Sequence, residues 1–246
     1  MKLVTVAEMH AIEREADAAG LPYAQMMENA GLDLAKQIIQ AYGYSPDKSA
    51  LGLVGSGNNG GDTLVALAYL AGRGWRTTAY AVRQRPADDL LVARFTDTGG
   101  RYVRGDEDRD YRQIISFLDE HTVLLDGVLG TGAQLPLKPE VADVLGVVQR
   151  TLQILNDPPH VVAVDCPSGV DCDSGQAARE SLSAEMTVTM AAVKQGLLRF
   201  PAFKLIGELR VANIGGLEDL PAWRAVQRVV ADAEMVRTMI PTRPLD

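Results

Sequence analysis

Residues 50–71 read Ala-Leu-Gly-Leu-Val-Gly-Ser-Gly-Asn-Asn-Gly-Gly-Asp-Thr-Leu-Val-Ala-Leu-Ala-Tyr-Leu-Ala. A short apolar run at 51–54 meets a glycine-rich turn, and an apolar helical stretch follows at 63–71. Strand, glycine turn, helix is how a parallel α/β unit begins. The same rhythm continues outward. Strands are predicted at 75–82, 101–103, 122–125, 161–164, 186–193 and 208–214, with helices at 87–98, 110–120 and 139–154. This alternation predicts an α/β fold, a mostly parallel sheet with helices on both faces. Upstream, Thr5 and Glu8 have capping-box spacing, and Gly20 marks the end of a first helix. Pro22 suits the first turn of a second, which runs towards Gly43 with Met26, Ala30, Leu34 and Ile38 on one face. Asp232 is placed to cap a short helix through Met239. No internal repeat or low-complexity linker interrupts residues 1–240, which are read as one domain; Pro-rich 241–246 reads as the start of a linker.

The chain has 246 residues, 24 basic against 32 acidic, with 47% hydrophobic and 23% charged side chains. That is globular composition. A net charge of −8 disfavours nucleic-acid or anionic-membrane partners. No apolar run approaches the roughly 20 residues of a membrane helix, and residues 1–6 carry no signal-type apolar region. Two cysteines, Cys166 and Cys172, imply no disulfide framework. A reducing, cytoplasmic location is the expectation.

Gly55 to Gly60 satisfy G-x-G-x-x-G, a turn that lets backbone N–H groups approach a phosphate. The usual dinucleotide fingerprint wants an acid at the end of the next strand, where this chain has Val82-Arg83-Gln84-Arg85. No lysine follows the glycines, so the turn is not a P-loop. Asn58, Asn59 and Asp62 add amide and carboxylate groups; a tight turn with Asx capping is the plain alternative. Asp126, in Asp-Gly-Val-Leu-Gly-Thr-Gly, closes a second apolar run, and Asp165, in Asp-Cys-Pro-Ser-Gly-Val-Asp, a third. Either could be a turn-capping acid, but three strands deliver Asn58, Asn59, Asp62, Asp126, Asp165 and Ser168 to one sheet edge, the edge where open α/β sheets bind ligands. Such oxygen groups suit a hard cation and not zinc. A carboxylate at a partly desolvated strand end suits general acid–base work. Lys194 follows a strand and precedes Gly196; it reads either as a point charge for a phosphate or as a solvated lysine. His10, His121 and His160 are isolated, Cys166 reads as a small buried thiol, and Met26-Met27 reads as packing.

Taken together, Asn-Asn-Gly-Gly-Asp at 58–62, Asp126 with Gly130-Thr131-Gly132, Asp165 with Pro167-Ser168-Gly169 and Asp171, and Thr187-Val188-Thr189 with Lys194, Gly196 and Leu197 resemble the NAD(P)HX epimerase family, the YjeF N-terminal domain. Met-Glu-Asn-Ala-Gly at 27–31 and Val-Ala-Asn-Ile-Gly at 211–215 resemble it too, so the likeness spans roughly residues 5–240.

The resemblance implies a Rossmann-like, doubly wound fold and epimerisation of NADHX and NADPHX, the hydrated cofactors, at nicotinamide C6. It implies a homodimer and a potassium ion held by Asn59, Asp126 and Ser168. The substrate site would comprise Asn58, Asn59, Gly60, Gly61 and Asp62, then Gly130, Thr131, Gly132, Ala133, Gln134, Leu135 and Pro136, then Asp165, with Lys194 added as a phosphate contact. Asp165 would be general acid to the departing oxygen and general base to the incoming water. Members are often fused to an ADP- or ATP-dependent dehydratase, and 241–246 resembles the junction that leads into it. Two departures stand out: Thr63, where the family has glycine, and Met190, where an aromatic is common. A β-branched Thr63 disfavours positive φ. Arg83 and Arg85 bear on a 2′-phosphate. A non-catalytic binding module of the same fold is the rival reading; an ordinary Rossmann dehydrogenase is opposed by the missing acid near Val82.

Overall fold

The computed structural model describes residues 1–231 and 233–240. β1 (Leu3–Val4) leads into α1 (Val6–Ala18) and α2 (Tyr23–Tyr42). Then come β2 (Ser49–Val54), α3 (Asn58–Ala71), β3 (Arg76–Ala81), α4 (Leu90–Asp97), β4 (Arg101–Arg104), α5 (Arg112–Glu120), β5 (Val123–Gly127) and α6 (Pro139–Ile154). β6 (His160–Val164), β7 (Met186–Met190), β8 (Val193–Lys194), β9 (Glu208–Ala212), α7 (Pro221–Ala225) and α8 (Ala233–Met239) complete the chain.

β2 is buried at all six positions because it is central. The main sheet has seven strands in the order β4-β3-β2-β5-β6-β7-β9, and every pair is parallel. The chain runs from β2 out to β4, then returns to lay β5 on the other side of β2. That reversal opens a crevice at the C-terminal strand ends. Side chains alternate across the sheet as the two-residue period requires. Ala50 and Val54 join the core that includes Leu34 and Ile38 of α2, whereas Leu51 and Leu53 join Ile114 of α5 and Leu145 of α6. Helices therefore cover both faces, as expected. Among the described residues no helix is long and apolar enough to cross a membrane.

At the N-terminus the capping box forms: Glu8 N donates to Thr5 Oγ1 at 3.1 Å and Thr5 N to Glu8 Oε2 at 2.7 Å. Pro22 is the N-cap of α2, one residue outside the expected first turn. α3 begins at Asn58, five residues before the expected start at 63, so the Asn-Asn-Gly-Gly-Asp stretch is the helix's own first turns. β5 extends through Gly127, which puts Asp126 inside the strand opposite Ala163. The single strand expected over 186–193 is two: Ala191 adopts φ 61°, and the chain turns from β7 into β8, which pairs with β1 through Leu3–Val193 and Val4–Lys194. The expected cap at Asp232 and the linker at 241–246 lie outside the described residues.

Candidate active site

The glycine turn is shaped by contacts that leave no room for a side chain. A Cβ on Gly55 would stand 2.0 Å from the Val128 carbonyl oxygen, and one on Gly60 would stand 2.0 Å from that of Gly55. The turn is thus pressed against the segment leaving β5, the other side of the switch point. Arg85 fastens it: Nη1 donates to the Gly55 and Gly57 carbonyls at 2.9 and 3.1 Å, and Nε to Asp89 at 2.7 Å. Arg85 is consumed by this work. Arg83 lines the cavity, and among the described residues its guanidinium pairs with Glu140 alone, at 3.9 Å.

Beneath the turn lies a set of buried oxygen groups. Both amide atoms of Asn59 and Oδ1 of Asp126 are buried with no hydrogen-bond partner among the described residues. Asp126 Oδ2 accepts from Ser168 N at 2.8 Å, and Ser168 Oγ accepts from Leu129 N at 3.0 Å, which ties the loops after β5 and β6 together. Burial pushes the Asp126 carboxyl up to about 6 against the opposing hydrogen bonds from Ser168. Unsatisfied buried polar atoms are costly, and three of them fall here in adjacent elements.

Asp165 follows β6 with φ 65°, a left-handed backbone that aspartate tolerates better than most residues. Its Oδ1 accepts from Thr189 Oγ1 at 3.1 Å, Met190 N at 3.0 Å and Lys194 Nζ at 2.5 Å. Lys194, 1% exposed, also donates to Thr189 Oγ1 at 3.1 Å and the Met190 carbonyl at 2.8 Å. Burial alone would lower its proton affinity; the Asp165 carboxylate outweighs this, and the net shift is upward. This corrects the reading of Lys194 as solvated. Its three N–H groups are all engaged inside the protein, so it acts on Asp165 and has no donor left for a phosphate.

These parts meet at a cavity of about 810 Å³, lined by Asn58, Asn59, Asp62, Gly130, Thr131, Gly132, Asp165 and Lys194 among others. Gly60 and Gly61 are buried behind the wall, and Asp126 and Ser168 lie fully buried below it. Ala133, Gln134, Leu135 and Pro136, expected at the substrate, belong to the loop beyond Gly132 and are not part of this wall. Thr63, expected to strain the turn, sits within α3 without a positive φ and donates Oγ1 to the Asn59 carbonyl at 2.8 Å. Gly52 and Gly127 leave the space its side chain fills. Met190 is buried, lines the cavity and holds both partners of the ion pair through its backbone.

Sequence reasoning missed the α1 and α2 side of the cavity. His10, set aside as isolated, and Met26 and Met27, set aside as packing, all line it, as does Glu13. The signal for Glu13 was present: Met9, Ile12 and Ala16 are the buried face of α1, and Glu13 falls on that stripe. Cys166 is a buried free thiol, as expected, and so is Cys172; the neighbouring Cys172 and burial push the Cys166 thiol up.

Fold and cavity together define an α/β protein with a cavity at the switch point of a parallel sheet. The chain belongs to the family described as YjeF-related protein N-terminus, which matches residues 23–196. It is 36% identical over 214 residues to the NAD(P)H-hydrate epimerase of Clavibacter sepedonicus, covering 85% of this chain and 88% of that one. It is 31% identical over 250 residues to the bifunctional NAD(P)H-hydrate repair enzyme Nnr of Moorella thermoacetica, covering 99% of this chain but 46% of that protein. The chain thus spans less than half of such bifunctional relatives. In fold it is similar to the crystal structure of yeast ynu0, with TM-score 0.72, 19% identity and 87% of each chain covered.

Proposed function

We propose that this chain epimerises the R and S C6 hydrates of NADH and NADPH, with Asp165 as its acid–base residue. The observation that carries the reading is the Asp165–Lys194 pair, set in a cavity between the glycine turn and the Gly130–Gly132 loop. The Clavibacter relative, matched over 88% of its length, is named for this activity. The hydrate carries a hydroxyl on C6 beside the ring nitrogen. The nitrogen lone pair expels that oxygen as water, and water returning to the opposite face gives the other epimer. Lys194 orients Asp165 through Oδ1, and among the described residues none donates to its Oδ2, the oxygen left for proton transfer.

Asn59, Asp126 and Ser168 would hold a potassium ion. The fit rests on the partnerless buried atoms of Asn59 and Asp126 and on an all-oxygen donor set. Bound there, the ion supplies positive charge that fixes the loops after β2, β5 and β6 in register. We further read residues 1–240 as an epimerase domain that works as a cytoplasmic homodimer, beside or fused to a dehydratase. The Moorella relative, a bifunctional enzyme, supports the last point.

A coupled assay tests the activity. A stereospecific dehydratase exhausts the S epimer of a mixed NADHX pool, leaving R. Adding this protein in potassium buffer is expected to restart conversion, followed as NADH absorbance at 340 nm. A rate no faster than the spontaneous one, with the protein folded, would overturn the reading.

A further inference from the structure

Asp165 is anchored through a single oxygen. Thr189, Met190 and Lys194 all donate to Oδ1. A carboxylate pinned this way presents Oδ2 in one direction. Epimerisation needs proton transfer on both faces of the ring: a proton is given to the oxygen leaving one face and taken from the water arriving at the other. Enzymes that exchange oxygens across opposite faces of a sugar carbon meet the same demand with two carboxyl groups roughly 6.5–9.5 Å apart.

The cavity holds two more carboxyl groups, on Asp62 and Glu13. Asp62 is 7% exposed, and burial pushes it well above the usual carboxylate range. Among the described residues no cation pairs with it, so ionising it would leave a buried charge uncompensated, unlike Asp165 beside Lys194. Glu13 is partly exposed, and its carboxylate has no hydrogen-bond or ion-pair partner among the described residues. The pairing of β1 with β8 brings it in, because α1 starts two residues after Val4, the partner of Lys194. Around it stand Lys194 from β8, Asp165 from the loop after β6, Asp62 from α3, and His10 and Arg14 from α1 itself. Burial raises its proton affinity, Asp165 adds to the rise, and Lys194, His10 and Arg14 oppose it. One carboxyl paired with a buried ammonium and another inclined to keep its proton have the divided environments of an acid–base couple.

We propose that Glu13 is the second proton-transfer group of the epimerisation, serving the ring face that Asp165 does not reach. The inference rests on the epimerase reading. In one direction protonated Glu13 gives its proton to the C6 hydroxyl. The C–O bond breaks, the oxygen leaves as water with the bonding pair, and the nitrogen lone pair forms the N1–C6 double bond. Water then adds to the opposite face, the C–O bond forms, the pair returns to nitrogen, and Asp165 takes the proton. Solvent returns one proton to Glu13 and removes one from Asp165. The reverse epimerisation uses the two groups in exchanged roles.

The test is the pH dependence of kcat/KM for wild type and Glu13→Gln in the coupled assay, with thermal melts confirming that both fold. Wild type should give a bell-shaped profile, one limb of which belongs to Glu13. Glu13→Gln should lower the rate about 100-fold or more and erase one limb. Glu13→Asp, a second variant in case the amide fails to fold, should keep both limbs and shift one. A Glu13→Gln enzyme that keeps the bell, at whatever rate, overturns the proposal, as does an unshifted Glu13→Asp profile. A wild type without epimerase activity would instead overturn the reading beneath it.

Discussion

The Asp165–Lys194 pair is the most consequential contact of single residues in the site, and its energetics run in both directions. Lys194 is 1% and Asp165 10% exposed as side chains. Removing one partner leaves a buried charge without its counterpart, which costs about 3–5 kcal/mol. Lys194→Met and Asp165→Asn are each expected to lower stability on this scale in denaturant titrations. The double variant should recover much of the loss, because neither charge then remains. Simple additivity of the two losses would show that the pair is not coupled. The raised affinity of Lys194 fixes the pH window: its contribution is full below the ordinary value of 10.5 and is lost as pH rises through the higher folded value. Asp165→Asn should also lose about 10²- to 10⁴-fold in epimerisation rate, and an undiminished rate would refute its role. At this scale Asn59, Asp126, Asp165 and Ser168 were legible because each lies where an apolar run gives way to a glycine-containing segment. For Glu13 the sequence showed only a place on the buried stripe of α1, and for His10 nothing. They reach the cavity through the pairing of Val4 with Lys194, 190 positions apart, which no local pattern announces.

At the scale of elements, the sheet was legible almost strand by strand, because apolar runs separated by turns leave little choice. The start of α3 was not. Asn-Asn-Gly-Gly is poor helix sequence, so propensity placed the helix later. Tertiary packing overrides that preference: α3 is buried from Asn59 through Ala68, and Gly31 of α2 lies against it. A Cβ at Gly31 would fall 2.5 Å from the Val65 Cβ and 2.8 Å from the Asp62 carbonyl oxygen. Gly31→Ala therefore forces the helices apart. The expected cost is about 1–3 kcal/mol, a fall in melting temperature of roughly 2–4 °C per kcal/mol. An unchanged melt would mean that the α2–α3 contact has slack. The split of β7 from β8 was illegible for a different reason. It depends on a left-handed alanine, Ala191, whose identity gives no sign of that conformation.

The whole molecule is organised around one reversal of strand order, and the potassium reading makes a prediction at that scale. The loops after β2, β5 and β6 come from elements that are neighbours only after the sheet has formed, so their oxygen groups converge in the folded state alone. A cation bound there stabilises the fold by RT ln(1 + [L]/Kd), about 2.7 kcal/mol at a hundredfold excess over its dissociation constant. Asn59 and Asp126, whose buried atoms lack partners among the described residues, are the groups that gain from it. Thermal melts in potassium chloride and in tetramethylammonium chloride at equal ionic strength should separate by several degrees, with potassium higher. Asn59→Ala should close the gap, since it removes a ligand while sparing the charge on Asp126. Matched ionic strength matters because a net charge of −8 makes the fold respond to salt in general. Equal melts in the two salts would place no potassium at the switch point, and the three segments would then be held by protein contacts, among them the Ser168 hydrogen bonds to Asp126 and Leu129 and those of Arg85 to Gly55 and Gly57.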